Sequence, residues 1–546
     1  MVNILLGFLG LILFFIPGIL IELILFKKNS ILKRIVFSIA IASSISVFIG
    51  LLLALLKILF FKYIFIAYLS ASIILLIILK IQKTKIKTDY SPELKYLLLF
   101  SLIGSIWRLF LIAKNNNFGD AYSYASYLIH KGIVSSGSLF IEIPNLNFYT
   151  GMVGGHYSFL GSTLSGIVLE TLSFSNNYIS IFLGTLMFIG FAYLAIFSLT
   201  KRYDLSIGGA LILSLGPVEL WHSTIGFIGH PLSYIAVFSL FILFSENKFQ
   251  YFILSLIICS ALILSQYTGA MAIIILSIGF IISSVIESRK LINKKIIFYL
   301  IIIIFSLFFV YGFSSSGNYT TKNINNAVKS IMPPEIIANQ SQNQSSQTTS
   351  TIPLPEQHYT GPIKIWGFPL IALEDIVIFA LGFTFIIYFI KTRKKQDYTL
   401  ALCLVPVILL SLAFISVNYP ERAFYYFYFF GISAIKLPKK YIKHIFVFLI
   451  ILTLIFSQLR MLGRPYLEKT DAEIQAADFI KNNISGTVFT DQHFANILIM
   501  KDFYSVQGIS DNDKKTKIIY YQENKSNIIS ALKSLNVDYI AITKRM

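Results

Sequence analysis

Cysteine is nearly missing from this chain: two residues, Cys259 and Cys403, stand among 546, and both lie inside apolar runs. That excludes a disulfide framework and a cysteine-built zinc site. Charge is also scarce, at 13% of residues, where soluble domains carry about 25%. Acids are the scarcer sign, with 26 Asp and Glu against 45 Lys and Arg. The chain has no glycine-rich phosphate loop, no clear internal repeat and no alternating β-barrel pattern. Its first segment lacks a basic leading region and a small-residue cleavage site, so it reads as a retained helix and not a signal peptide.

Apolar length is what the sequence has in quantity. Hydrophobic residues make up 56% of it and the mean hydropathy is +0.74. Runs of about 20 apolar residues, enough to cross roughly 30 Å of hydrocarbon, recur along the chain. A lipid-exposed backbone must satisfy its own hydrogen bonds, so these runs predict helices. The expected class is a mainly α, polytopic transmembrane helical bundle. A net charge of +19 would suggest a nucleic-acid partner in a soluble protein, but here Lys and Arg cluster in short loops between apolar runs. That is an orientation signal, and no nucleic-acid partner is expected.

Spans are expected at about 4–26, 35–55, 60–80 and 96–113, then at about 178–199, 205–222, 227–244, 250–267, 270–287 and 296–313. Four more, at about 368–390, 398–417, 422–437 and 443–460, bring the total to about 14. Lys27, Lys28, Lys33 and Arg34, and then Lys83, Lys85 and Lys87, put the first and third loops inside and the N-terminus outside. Residues 156–174 are apolar enough to cross, but counting them as a span would carry Lys201, Arg202, Lys290, Lys294 and Lys295 outside. The piece therefore reads as an interfacial or half-inserted helix.

The division that follows is a transmembrane domain over 1–463, with outer loops at 114–177 and 314–367, and a small outer α/β unit over 464–546. Within that unit, 471–481 and 527–535 have helical periodicity, while 487–490, 503–506 and 537–543 look like strands. Sequons beginning at Asn318, Asn339, Asn343, Asn483 and Asn524 all fall on the side assigned as outer.

Ionisable groups near a bilayer are costly, so their positions carry information. Asp120 lies in the polar, aromatic segment Phe118 to Tyr127, directly after the fourth span. Glu142, His156, Glu219, His222, His230, Glu374, Asp375, Glu421 and Arg422 also fall near expected outer ends of spans. Each has a plainer reading. Asp120 caps a helix starting near Tyr122, Arg422 anchors at the interface, and Glu219 and His222 share a hydrogen bond across one turn. His156, His230 and His358 are then amphipathic surface residues. Glu374 and Asp375 point about 100° apart on a helix, which argues against a paired-acid site. No firm metal-ligand spacing is present.

An acid shortly after a span, in a long first outer loop, followed by many spans and a small outer C-terminal unit, resembles the GT-C superfamily of integral membrane glycosyltransferases. The resemblance rests on Gly119-Asp120-Ala121-Tyr122-Ser123-Tyr124, Pro217-Val218-Glu219 and Tyr419-Pro420-Glu421-Arg422. It implies hexosyl or pentosyl transfer, mannosyltransferase-like, from a polyprenyl- or dolichyl-phosphate-linked donor to a glycan, lipid or protein acceptor, among membrane lipids of the cell envelope. It implies Asp120 as the catalytic acidic residue of the loop, acting as general base or helping to organise a metal, with Glu219, His222, Arg422, Tyr122 and His156 as the substrate-binding set. It implies no fixed cofactor, with a divalent cation as the one candidate. Two departures stand: four spans precede the loop where the family usually has one, and no Trp-Trp-Asp-Tyr-Gly signature of oligosaccharyltransferases occurs. A transporter or flippase of a lipid-linked glycan, and a noncatalytic cell-envelope scaffold, are the competing readings.

Overall fold

The computed structural model describes residues 2–82, 86–115, 133–138, 160–173, 177–215, 229–263, 267–288, 293–313, 364–365, 368–369 and 439–462. In the C-terminal stretch it describes 471–490, 494–495, 497–498, 501, 503, 505–508, 524–534 and 536–542.

The expected spans among the described residues are helices. They are α1 (Val2–Leu25), α2 (Ile31–Leu55), α3 (Phe61–Ile81) and α4 (Leu94–Asn115). After the shorter α5 (Leu160–Ser173) come α6 (Asn177–Thr200), α7 (Tyr203–Leu215), α8 (Gly229–Glu246), α9 (Phe249–Ile263), α10 (Tyr267–Ser288), α11 (Lys294–Phe313) and α12 (Lys439–Leu462). Four of them, over Gly7–Leu25, Ile31–Leu55, Phe61–Ile81 and Phe182–Thr200, are long and apolar enough to cross a membrane. The chain is an integral membrane protein with a mainly helical fold. The expected spans at 368–390, 398–417 and 422–437 lie almost wholly outside the described residues.

Local chemistry sets the helix ends. The Ser30 hydroxyl accepts a hydrogen bond from Lys33 N and caps α2. At the far end Lys57 takes a left-handed conformation (φ 61°), its N–H donates to Ala54 O, and the Ile58 N–H donates to Leu53 O. This is the Schellman pattern, which pairs carbonyls that the last turn of a helix would otherwise leave open. Between those ends α1 and α2 approach closely at Gly18, where a Cβ would overlap the carbonyl oxygen of Ser38.

Helix contacts sort the ends into two groups. At one end Phe26 closes α1 against Tyr251 of α9 (5.1 Å between rings), and the Lys33 Nζ donates to the Tyr251 hydroxyl at 3.1 Å. There too the Tyr193 and Tyr203 hydroxyls donate to Glu93, the Ser245 hydroxyl donates to Ser198 O, and Phe252 stacks on Phe298. Lys27, Lys28, Lys87, Lys201, Lys294 and Lys295 fall in this group, which is the basic end. Chain direction then carries the C-termini of α2, α4, α7 and α9 to the opposite, loop-bearing end, together with the N-termini of α3, α6 and α8.

Two features at the basic end were not expected from the sequence. Residues Lys28–Ser30 (β1) and Lys87–Asp89 (β2) pair in parallel, Asn29 opposite Thr88. Arg34 fastens the pair: its Nε donates to Thr88 Oγ1 at 2.8 Å, its Nη2 to Lys87 O at 2.8 Å, and its Nη1 to Glu22 Oε2 at 2.7 Å.

Farther along, Lys364–Ile365 (β3) and Phe368–Pro369 (β4) form a short antiparallel pair. In the C-terminal stretch, α13 (Asp471–Asn483) and α14 (Lys525–Ser534) accompany a parallel three-stranded sheet of β5 (Val488–Thr490), β6 (Val506–Gly508) and β7 (Tyr539–Ile540), with β5 central. Ala477, Val488, Leu498 and Val506 are buried together beneath it. The strand expected at 503–506 is shifted: Phe503 packs into this core from outside the sheet, and pairing begins at Val506 opposite Val488.

Candidate functional site

The residues singled out for chemistry, Asp120, Tyr122, His156, Glu219, His222 and Arg422, lie outside the described residues, as do Glu142, His358, Glu374, Asp375 and Glu421. His230 stands in the first turn of α8. What is described are the helices that the first five of those six residues adjoin in the chain. Asp120 is the fifth residue beyond Asn115, where α4 ends, and Glu219 the fourth beyond Leu215, where α7 ends. The helices α4 and α7 are neighbours, and both start at the Glu93 junction, so they run in the same direction. Their lengths differ, at about 33 Å and about 20 Å along the axis.

Two described pieces of the loop between α4 and α6 are packed onto the first three helices. The segment 133–138 rests on the turn between α2 and α3, where the Leu59 N–H donates to Gly137 O at 3.0 Å. Gly137 has φ +64°, and a Cβ there would lie 2.5 Å from Phe60 Cζ. Glycine meets both demands, a left-handed backbone and close contact with a ring.

Farther along the loop, α5 lies across the portions of α1 and α2 nearest the loop-bearing end. Leu164 faces Gly50, the Ser165 hydroxyl pairs with that of Ser46, and Leu172 covers Gly10 so closely that a Cβ would overlap its carbonyl oxygen. Because Gly18 meets Ser38 and Ala42, residues 10 and about 48–50 share a level, so α5 stays at that level instead of crossing. Its length, about 21 Å, also falls short of the roughly 30 Å of hydrocarbon. Of the stretch 156–174, expected to be interfacial or half-inserted, residues 160–173 are described. Leu164, Ile167, Val168 and Leu172 are buried with Phe14, Leu51 and Tyr68.

Glu170, half-buried on α5, was passed over in the sequence, although the cost of an acid inside an apolar run marks it by the same rule that marked Asp120. Among the described residues no group of three or more His, Cys, Asp and Glu is assembled that could hold a metal. The buried pair at the opposite end, Glu22 with Arg34, has its partners satisfied: Glu22 Oε1 accepts from Asn29 Nδ2 at 2.9 Å, and Arg34 also reaches Phe26 O and Lys27 O. That closure makes it a structural clamp.

A membrane-embedded, mainly helical protein is the class this architecture defines. The crystal structure of the Archaeoglobus fulgidus oligosaccharyltransferase in its apo form matches with a TM-score of 0.52, covering 82% of this chain and 69% of that one at 12% identity. The oligosaccharyltransferase AglB of the same archaeon, in complex with an inhibitory peptide and a dolichol-phosphate, matches with a TM-score of 0.51, covering 83% and 70% at 14% identity. At such identities the likeness is one of fold. No family model and no curated protein matches the chain.

Proposed function

We propose that the chain is a membrane glycosyltransferase that moves a sugar from a polyprenyl-phosphate-linked donor to an acceptor at its loop-bearing end. The observation that carries the reading is the shared fold with the archaeal oligosaccharyltransferase over 82% of the chain. One such neighbour was solved with a dolichol-phosphate, a lipid phosphate of the class the proposed donor would leave behind.

In this reading Asp120 accepts the proton of an acceptor hydroxyl as the oxygen attacks the anomeric carbon. The lipid phosphate departs with the electron pair of the broken bond, and Arg422 offers it a planar fork of donors. A phosphate leaving group needs little protonation, so charge stabilisation suffices. Tyr122, His156, Glu219 and His222 complete the substrate contacts. The loop-bearing end and the 464–546 unit are extracytoplasmic, because the lysine-rich end is the one held inside. The chain lacks Trp-Trp-Asp-Tyr-Gly, so the reading stops short of oligosaccharide transfer to asparagine and keeps glycan, lipid and protein acceptors together.

The test supplies purified protein with polyprenyl-phosphate sugars and membrane acceptors and measures release of the lipid phosphate. Wild type releases it and Asp120→Asn does not. Equal release from both removes Asp120 as the base. Movement of a lipid-linked sugar across sealed vesicles without transfer would replace the reading with transport.

A further inference from the structure

The contacts between the first three helices and the loop that follows α4 form an interlocking set. Residues 133–138 hang on the α2–α3 turn through the Leu59 N–H and the Phe60 ring. Residues 160–173 are fastened to α1 and α2 by the Ser46–Ser165 hydroxyl pair and by closely fitted contacts at Gly10 and Gly50. Tyr68 of α3, fully buried and stacked on Phe14 of α1 at 5.9 Å, joins the same apolar cluster as Ile133 and Leu164. The loop is thus anchored at three places: at the end of α4, at 133–138 and along α5. Asp120 and Tyr122 fall between the first two anchors in the chain, and His156 between the last two.

We infer that α1–α3 are a docking platform that positions the substrate-handling loop, with Phe60, Gly137, Ser46 and Ser165 as positioning residues. The inference rests on the transferase reading for what the loop does, and on packing alone for where it is held. Two segments of one loop, separated by residues 139–159, meet the same three-helix unit. Each uses a feature that tolerates little change: a left-handed glycine under a ring, and helix glycines pressed against α5. A misplacement of about 1 Å in a positioned reacting group costs on the order of a hundredfold in rate, so loosening either anchor should appear in turnover.

The experiment has two independent arms. In membranes, Ser46→Cys/Ser165→Cys is oxidised mildly and the disulfide mapped by mass spectrometry; the hydroxyl contact predicts efficient closure. In purified protein, Gly137→Val, Phe60→Ala and Phe60→Tyr are assayed for kcat and donor KM beside thermal unfolding. Gly137→Val and Phe60→Ala are expected to lower kcat roughly ten- to a hundredfold with donor KM little changed, while Phe60→Tyr keeps wild-type turnover. Should Gly137→Val fail to accumulate, Phe60→Ala alone decides this arm. Absence of the 46–165 disulfide overturns the platform, and wild-type kcat in Phe60→Ala overturns positioning. Closure of the disulfide in the double-cysteine variant, with no sugar transfer by the wild-type protein, refutes the transferase reading and keeps the platform.

Discussion

Arg34 Nη1 lies 2.7 Å from Glu22 Oε2, with the two side chains only 11% and 1% exposed. The pair ties the end of α1 to the start of α2, and the same guanidinium also holds the β2 strand through Thr88 and Lys87. One residue therefore joins three stretches of chain at the basic end.

Removing one member of a buried pair leaves the other charge uncompensated, a loss of about 3–5 kcal/mol. Arg34→Ala should lower the thermal midpoint in detergent sharply, and Arg34→Lys should recover only part, because an ammonium cannot reproduce the planar fork. Replacing both partners, as Glu22→Leu/Arg34→Met, should lose less than Arg34→Ala alone. A double variant that unfolds earlier than Arg34→Ala would contradict this account.

Lys57 occupies the left-handed position after α2 at φ 61°, where a side chain costs about 1 kcal/mol relative to glycine. Lys57→Gly is therefore expected to raise the unfolding midpoint while leaving the α2–α3 turn intact. A lower midpoint would show that the lysine side chain contributes more than its backbone costs.

Gly10 has no room for a side chain, since Leu172 O occupies the space a Cβ would need. Gly10→Leu should push α5 away from α1 at a cost of about 1–3 kcal/mol, the usual range for overpacking. Hydrogen exchange over 160–173 is the measurement: faster exchange there, with α6 to α11 unchanged, is the expected pattern.

Sidedness can be read by cysteine labelling. A cysteine at Ser136, which is exposed on the docked segment, should react with a membrane-impermeant maleimide from outside intact cells, as should one at Ser346. A cysteine at exposed Lys87 of β2 should react only after permeabilisation. The reverse pattern would invert the whole topology and the assignment of Asp120 to the outer face.

Much of the fold was legible because hydrophobic length is a direct physical requirement of the bilayer. The run at 35–55 became α2, and its true start at Ile31 was hidden by Lys33 and Arg34, polar side chains that a Ser30 cap admits to the first turn. The strands β1 and β2 carried little signal: Lys-Asn-Ser and Lys-Thr-Asp hold one β-branched residue, Thr88, and no aromatic one, and tertiary pairing makes them strands. Arg34 was legible as an orientation charge and illegible as a clamp, since Glu22 lies across the α1–α2 turn and Thr88 far along the sequence, and both reach it only through packing. For the site, the sequence indicated where ionisable residues fall relative to helix ends. It did not indicate the docking of 133–138, because a glycine beneath Phe60 has no counterpart in hydropathy.

The pairing of β1 with β2 also imposes an order on biosynthesis. Arg34 reaches Glu22 once α2 has begun, yet its bonds to Lys87 and Thr88 wait until α3 has been made and the ribosome has passed residue 88. Every residue of α1–α3 precedes that point, and every residue of 133–138 and 160–173 follows it. The receiving surface for the loop, with every residue that closes its far end, is thus synthesised before the loop itself.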